Sequence, residues 1–377
     1  MSTDCDFLII GAGVSGASAG YELAKLGKVL VLEAEDVPGY HSTGRSAALF
    51  TRNYGPAAVR AISAVSYDFF KSPPEGFAEH PLLTPRGGLS IAFKGDEALL
   101  DKILALGTAA HPIHDISLAE AMQRAPLLRA DLLGRAVYEP GVLDMDVDAI
   151  HRGFLKGLAA RSGQVITDRA VTKLSHDGHV WQVETAKGSY RSAIVINAAG
   201  AWADRIGHLA GARPIGLVPK RRTAILVDPP AGMDIKSMPL VDFAGGEIYI
   251  KPNSGKIMAS PGDETPVEPQ DIQPDDMDIA ILADWLERHT AITIRRIDHS
   301  WAGLRSFVAD GVPVAGFDPQ LKNFFWLAGQ GGFGIMMSAA LARLAAGLID
   351  QGWLPPEFIA QGLAESDLAP ARCQNKG

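Results

Sequence analysis

The sequence predicts a mixed α/β (α+β) fold in which a doubly wound parallel-sheet domain is interleaved with a second domain built on a mixed, largely antiparallel sheet. Three observations lead there. The apolar run Phe7–Ile10 leads directly into Gly11-Ala-Gly13-Val-Ser-Gly16, a helical stretch and a second apolar run. Two strands buried on both faces and joined through a helix must be parallel. The middle of the chain instead alternates and carries hairpin turns, and the last segment returns to α/β character. A length of 377 residues allows two or three structural units at roughly 150 residues each.

Taken in order, the first unit has a helix over Ala17–Leu26, ended by Gly27, and a strand Lys28–Leu32 that stops at Glu33. Asp146 or Asp148 caps a helix running to about Arg161, closed by Ser162-Gly163. Ala170–His176, a turn at Asp177-Gly178 and His179–Ala186 read as a hairpin. Lys187-Gly188 turns into Ser189–Ala193, and Ala193–Asn197 returns as a buried strand. In 80–140 and 216–300 proline and alternation increase; Ile248–Lys251 is a strand, turned by Asn253-Ser-Gly255 into Lys256–Ser260. A strand near Phe324–Leu327, a glycine-rich turn and a helix from about Gly334 to Ile349 complete the chain. Residues 1–80, 141–215 and 300–377 are expected to form one domain, and 81–140 with 216–299 the other.

Charge excludes one class of partner. There are 35 Lys+Arg against 43 Asp+Glu, a formal charge of −8, and the tight basic clusters are short (Lys220-Arg221-Arg222, Arg295-Arg296). A nucleic-acid surface needs a basic face. Cys5 and Cys373 form no C-x-x-C pair, and no metal-ligand spacing occurs. The start, Met1 to Asp6, is acidic where a signal peptide needs positive charge. The apolar stretch 326–349 is interrupted by Gln330, Arg343 and five glycines, a poor membrane span. A cytoplasmic protein without a transmembrane segment is expected.

Gly-x-Gly-x-x-Gly between a buried strand and a helix is a dinucleotide signature. Gly11 allows the tight turn, Gly13 lets backbone N–H groups approach a pyrophosphate, and Gly16 permits close helix–strand packing. Glu33 stands where an acidic residue accepts from ribose hydroxyls and repels a 2′-phosphate. These residues do not separate NAD from FAD. Tyr40-His-Ser-Thr-Gly-Arg-Ser-Ala-Ala48, small and hydroxyl-bearing, suits phosphate or ribityl oxygens. Ala328-Gly-Gln-Gly-Gly-Phe-Gly334 is a second glycine-rich turn opening a helix, whose N-terminus would stabilise negative charge on a reduced flavin. Together they favour FAD.

Gly11–Gly16 with Glu33, Asn197-Ala-Ala-Gly-Ala-Trp-Ala-Asp204, Trp301-Ala-Gly-Leu-Arg-Ser-Phe-Val-Ala-Asp310 and Gly329–Gly334 make the chain resemble, over nearly its whole length, the D-amino-acid oxidase (DAO) family of FAD-dependent oxidoreductases. Within that family, Tyr40–Ala48, His80-Pro-Leu-Leu83 and Pro219-Lys-Arg-Arg222 are most similar to the bacterial D-arginine/D-amino-acid dehydrogenases. The resemblance implies a Rossmann-type FAD domain under a substrate domain whose sheet roofs the flavin. It implies noncovalent FAD, since no cysteine lies near Gly329–Gly334. The positions it marks for FAD begin with Gly11, Ala12, Gly13, Val14, Ser15, Gly16, Glu33 and Ala34. They continue with His41, Ser42, Thr43, Gly44, Arg45, Ser46, Ala47, Ala48 and Val171. Ala199, Gly200, Trp202, Gly303, Arg305, Gly331, Gly332, Phe333, Gly334, Ile335 and Met336 complete the set.

Arg222 and Arg305 are carried over as the holders of a substrate carboxylate, with Tyr249 and Tyr54 alongside. A guanidinium fork matches a carboxylate and a phenol adds a neutral donor. The side-chain pocket is assigned to Leu49, Gly88, Gly332 and Met336. Here the chain departs from the D-arginine enzymes: Gly87-Gly88 replaces an acidic residue, Leu49 a histidine and Met336 a glutamine. Apolar D-amino acids are therefore the expected substrates, unless Asp242 or Glu247 supplies the missing charge. The implied reaction is oxidative deamination to a 2-oxo acid and ammonia through an imino acid. The electron acceptor stays open among a quinone, an electron-transfer partner and O2. N-methyl amino acids, 2-hydroxy acids and a flavin-binding redox partner without turnover are the alternatives.

Overall fold

The computed structural model describes residues 3–245 and 248–374; Glu247 lies outside the described residues. Five parallel strands form the centre of the first sheet, in the spatial order Phe324–Ala328, Gly188–Asn197, Thr3–Ile10, Val29–Leu32 and Gln164–Ile166. Ile9, Val31 and Ile196 point to one face, and helices Val14–Leu23, Ala57–Lys71, Val147–Ala159 and Gly334–Asp350 bury them. Leu8, Leu30 and Val195 point to the other face, beneath Trp181 and Val183 of a hairpin and Ile206 of the short helix Ala203–Ala210.

Two details differ from the sequence reading. The first helix starts at Val14, directly after Gly13, because the Ala17 N–H already donates to the Gly13 carbonyl at 2.9 Å. Residues 188–197 form one ten-residue strand rather than two pieces. Residues 188–192 pair antiparallel with Trp181–Thr185, and residues 195–197 pair parallel with residues 324–326. The change of neighbour occurs along one edge while the other edge stays on Thr3–Ile10. The helix cap read at Asp146 or Asp148 falls on Asp146, whose carboxylate accepts from Ala149 N at 2.9 Å.

The second sheet runs His299–Phe307, Val218–Val227, Lys256–Ser260, Tyr249–Asn253, Leu240–Phe243, Gly88–Phe93, Leu133–Glu139 and His114–Ile116. Its neighbours are antiparallel except Leu240–Phe243 against Gly88–Phe93. Its first strand runs through Phe307, so residues 299–307 belong to this sheet although the sequence reading places 300–377 with the other domain. Alternation divides its faces. Leu89, Ile225, Val241 and Ile250 pack on Leu282 and Leu286 of helix Asp276–His289. The residues between them face the first sheet across a cavity.

Candidate active site

The cavity, about 860 Å³, is lined from both sheets. At one end lies the loop Gly11–Ser15. Gly11 has φ 101°, and a Cβ there would stand 2.6 Å from Ala198 O; on Gly16 it would stand 1.8 Å from Gly11 O. Packing within the protein fixes both glycines. Gly13 is different: its Cβ would meet only Thr43 Oγ1, at 3.3 Å, so its bareness opens the loop to a ligand. Glu33 joins the loop to the second strand. Its Oε2 accepts from Ala12 N at 2.6 Å and its Oε1 from Glu35 N at 3.0 Å. A carboxylate has further acceptor capacity, and Glu33 also borders the cavity.

The segment 40–48 anchors to the second sheet. Ser42 Oγ donates to Leu304 O at 2.7 Å, and Arg45 donates to Ile272 O at 3.0 Å and Ala302 O at 3.2 Å. Arg45 also pairs with Asp271, and Trp301 Nε1 donates to Arg45 O at 3.0 Å. Arg45 thus directs its donors into the protein, leaving Ser46, Ala47 and Ala48 as the close-approach surface. His41 lies 2.8 Å from Glu35 Oε1 and packs on the Trp202 ring.

Of the positions marked from the sequence, the cavity also gathers Val14, Ser15, Ala34, Val171, Ala199, Gly200, Gly303, Gly331, Gly332, Gly334, Ile335 and Met336. Ala12, Gly16, Gly44 and Phe333 stand behind the wall instead. Ala12 is fully buried, Gly44 packs on Gly39 O, and Phe333 lies edge-on to Tyr54 with centroids 5.0 Å apart. Neither cysteine lines the cavity.

The arrangement fits a flavin dinucleotide. Helices Val14–Leu23 and Gly334–Asp350 both begin at the wall, so two helix N-termini direct positive ends toward it. Buried in the same wall, Gln330 Nε2 has no hydrogen-bond partner, a donor that a ligand acceptor would satisfy.

Above this floor, Arg222 and Arg305 stand on neighbouring antiparallel strands. Arg222 is paired in register with Gly303 and Arg305 with Lys220, so the two guanidinium side chains are diagonal neighbours on the cavity face. Arg222 Nε donates to Asp263 O at 2.9 Å, and its Nη2 lies 3.3 Å from Glu264 Oε1. Burial, then the Arg305 charge, lowers the Arg222 pKa. For Arg305 burial also opposes the charge, but Tyr249, Tyr54 and Glu264 outweigh it and raise the pKa. Tyr54 favours the Arg305 charge and is 48 % exposed, which puts it at the mouth. Two adjacent fixed cations with phenols beside them are a receptor for a carboxylate.

Leu49, Gly88, Gly332 and Met336 all reach the cavity. Gly88 leaves little free volume, since a Cβ would meet Val142 Cγ2 at 2.8 Å. The pocket is also less apolar than those four positions suggest. Ser90, Asp242 and Glu139 line it on the same sheet face, with Thr51 and Asn53 opposite. Burial first, then nearby Glu139, pushes the Asp242 pKa up to about 6 against the hydrogen bond from Ser90. Burial likewise raises Glu139. The available signal was the alternation itself: Ser90 between Leu89 and Ile91, Asp242 between Val241 and Phe243.

Among the described residues no group of three or more His, Cys, Asp or Glu is arranged to hold a metal ion. Among the same residues, no helix is long and apolar enough to cross a membrane.

Comparison with known proteins agrees with this geometry. The family model DAO, described as FAD dependent oxidoreductase, matches residues 6–348. The glycine oxidase of Geobacillus kaustophilus is 25 % identical over 367 residues, covering 92 % of this chain and 93 % of that protein. Mitochondrial sarcosine dehydrogenase from Mus musculus is 25 % identical over 373 residues, which cover 93 % of this chain. The chain spans only 40 % of that protein's length. The crystal structure of L-proline dehydrogenase from P. horikoshii superposes with a TM-score of 0.81 at 22 % identity, covering 97 % of this chain and 100 % of that one. These relatives carry glycine, sarcosine and proline in their names rather than D-arginine, so the likeness holds at the level of the family and the fold.

Proposed function

The chain belongs to the DAO family of FAD-dependent oxidoreductases, and from that premise we propose that it oxidises the Cα–N bond of an α-amino acid held by its carboxylate. The Arg222–Arg305 pair on the cavity face carries this reading. FAD would be held by the Gly11–Ser15 loop, Glu33 and the Gly331–Gly334 turn, and when bound it supplies the two-electron oxidation. The protein's part is positioning. Two guanidinium groups fix both carboxylate oxygens, Tyr249 and Tyr54 add neutral donors, and the restrained Cα gains the advantage of a pre-oriented reaction. The imino acid product then hydrolyses in water to a 2-oxo acid and ammonia.

The D-configuration is supported by the resemblance of segments 40–48, 80–83 and 219–222 to the D-arginine group. A secondary amine as substrate has its own support in relatives named for sarcosine. Anaerobic mixing of the flavin-loaded protein with D-, L- and N-methyl amino acids decides between them. Bleaching of the flavin absorbance by D-amino acids alone is the expected result. Bleaching only by N-methyl or only by L-amino acids assigns the other chemistry, and no bleaching by any of them overturns the reading.

A further inference from the structure

The cavity face of the second sheet has opposite charge at its two ends. Arg222 and Arg305 occupy two neighbouring strands. Asp242 lies on a strand three places from that of Arg222, roughly 14 Å away across the sheet at about 4.8 Å per strand. Tyr249 stands between, opposite Asp242 in register. Ser90, in register with Asp242 on its other side, donates to Asp242 Oδ1 at 2.8 Å. Glu139 follows one strand further, taking Thr51 Oγ1 at 2.7 Å and Asn53 Nδ2 at 2.9 Å on the same oxygen, Oε1. Among the described residues, side-chain hydrogen bonds therefore reach one oxygen of each carboxyl, and no Lys or Arg pairs with either.

We propose that Asp242, supported by Glu139, receives a cationic group at the far end of the substrate whose carboxylate Arg222 and Arg305 hold. The substrate class is then an α-amino acid with an ammonium or guanidinium side chain. This rests on the carboxylate reading of the arginine pair and extends it along the sheet. Carboxyls held away from bulk water are costly unless paired, and here the space beside them is the cavity itself. Val137 and Leu240, on the same face, offer apolar surface to the methylene stem. Gly88, which carries no charge, is not required for such recognition.

Binding without turnover tests this. The flavin-loaded protein is titrated at pH 8 with 6-aminohexanoate and with hexanoate, which share a carboxylate and differ in the terminal ammonium; flavin absorbance and calorimetry report binding. A preference of about tenfold or more for 6-aminohexanoate is expected. Asp242→Asn should remove most of that preference and Asp242→Glu should keep part of it. Ser90→Ala, which unties the carboxyl, provides a second variant should Asp242→Asn fold poorly; a reduced preference is expected. Equal binding of the two acids by the native protein, or a preference untouched by both Asp242→Asn and Ser90→Ala, overturns the subsite while leaving the arginine clamp standing. Failure of both acids to bind removes the clamp and the subsite with it.

Discussion

Asp242 and Tyr249 face each other in register across adjacent antiparallel strands, so a half-buried carboxyl and a phenol stand side by side on the face that roofs the cavity. The same alternation that buries Val241 and Ile250 in the core behind the sheet turns both polar groups forward. The sheet face thus serves as a ruler, with cations at one end, a phenol in the middle and carboxyls at the other.

The loop at the opposite end predicts the first outcome. Purified protein is expected to carry FAD that heat or acid releases intact. Glu33→Lys removes the acceptor of two backbone N–H groups and puts a cation beside a helix N-terminus. Leaving those donors unpaired costs about 1–3 kcal/mol, so both the melting temperature and the flavin-to-protein ratio should fall. Colourless wild-type protein that takes up no FAD would contradict this.

Gly13 of the loop and Gly16 of the helix that follows it should respond differently to alanine. Gly16→Ala drives a methyl into Gly11 O, a backbone clash worth about 1–3 kcal/mol or more, so stability and flavin retention fall together. Gly13→Ala meets only a hydroxyl at 3.3 Å; its melting temperature should stay near wild type while flavin affinity drops. Thermal denaturation of the apo-proteins, beside flavin titration, separates the two cases. A Gly16→Ala protein as stable as wild type sinks the packing argument.

How much of this was legible in the sequence depended on how local each feature is. The strand–loop–helix–strand unit was readable because its glycines, buried runs and Glu33 lie within one short segment. The strand Gly188–Asn197 reads as two because its first half alternates, with Tyr190 and Ser192 buried and Ser189 and Arg191 exposed, whereas Ala193–Ile196 is an unbroken apolar run. The change marks a change of neighbours, not a break. The side-chain pocket resisted reading for the opposite reason. Ser90, Glu139 and Asp242 come from three distant segments, and only the order of the sheet brings them to one wall.

Arg305→Ala should leave the substrate carboxylate with one partner in place of two. Truncating one partner of a buried charge pair costs about 2–5 kcal/mol, which should appear in kcat/KM while the flavin-to-protein ratio holds. Wild-type kinetics in this variant would take Arg305 out of the site.

Stability should also depend on the ionisation of Asp242. Its folded pKa of about 6 lies above the usual carboxylate value, so the folded protein holds this proton more tightly than the unfolded chain. The associated stability is fully present below about pH 4 and is lost as pH rises through about 6. Glu139 faces the group as a like charge and Ser90 as a donor. Asp242→Asn, which cannot ionise, should therefore melt higher than wild type at pH 8, by up to about 3 kcal/mol in stability, with the gap closing toward pH 4. A gap that is absent at pH 8, or widens on acidification, reverses the assignment.

The last expectation concerns Glu264, which competes with the substrate for the clamp. Its Oε1 lies 3.3 Å from Arg222 Nη2 and its Oε2 2.7 Å from Lys220 Nζ, and its side chain is 38 % exposed. An incoming carboxylate must share or displace that contact before Arg222 can present both donors. A partly exposed pair is worth about 0.2–1 kcal/mol, so its removal should be felt modestly. Glu264→Gln is expected to tighten hexanoate binding by up to about fivefold and to lower KM for the amino acid. The direction is informative because Glu264 has a second possible role, as the acceptor for the substrate's α-ammonium. In that role its loss would leave hexanoate, which has no amine, unaffected or tighter, but would raise KM for the amino acid. Measuring both ligands on one variant therefore separates a competitor of the carboxylate from a holder of the amine. Weaker hexanoate binding would exclude the competition outright.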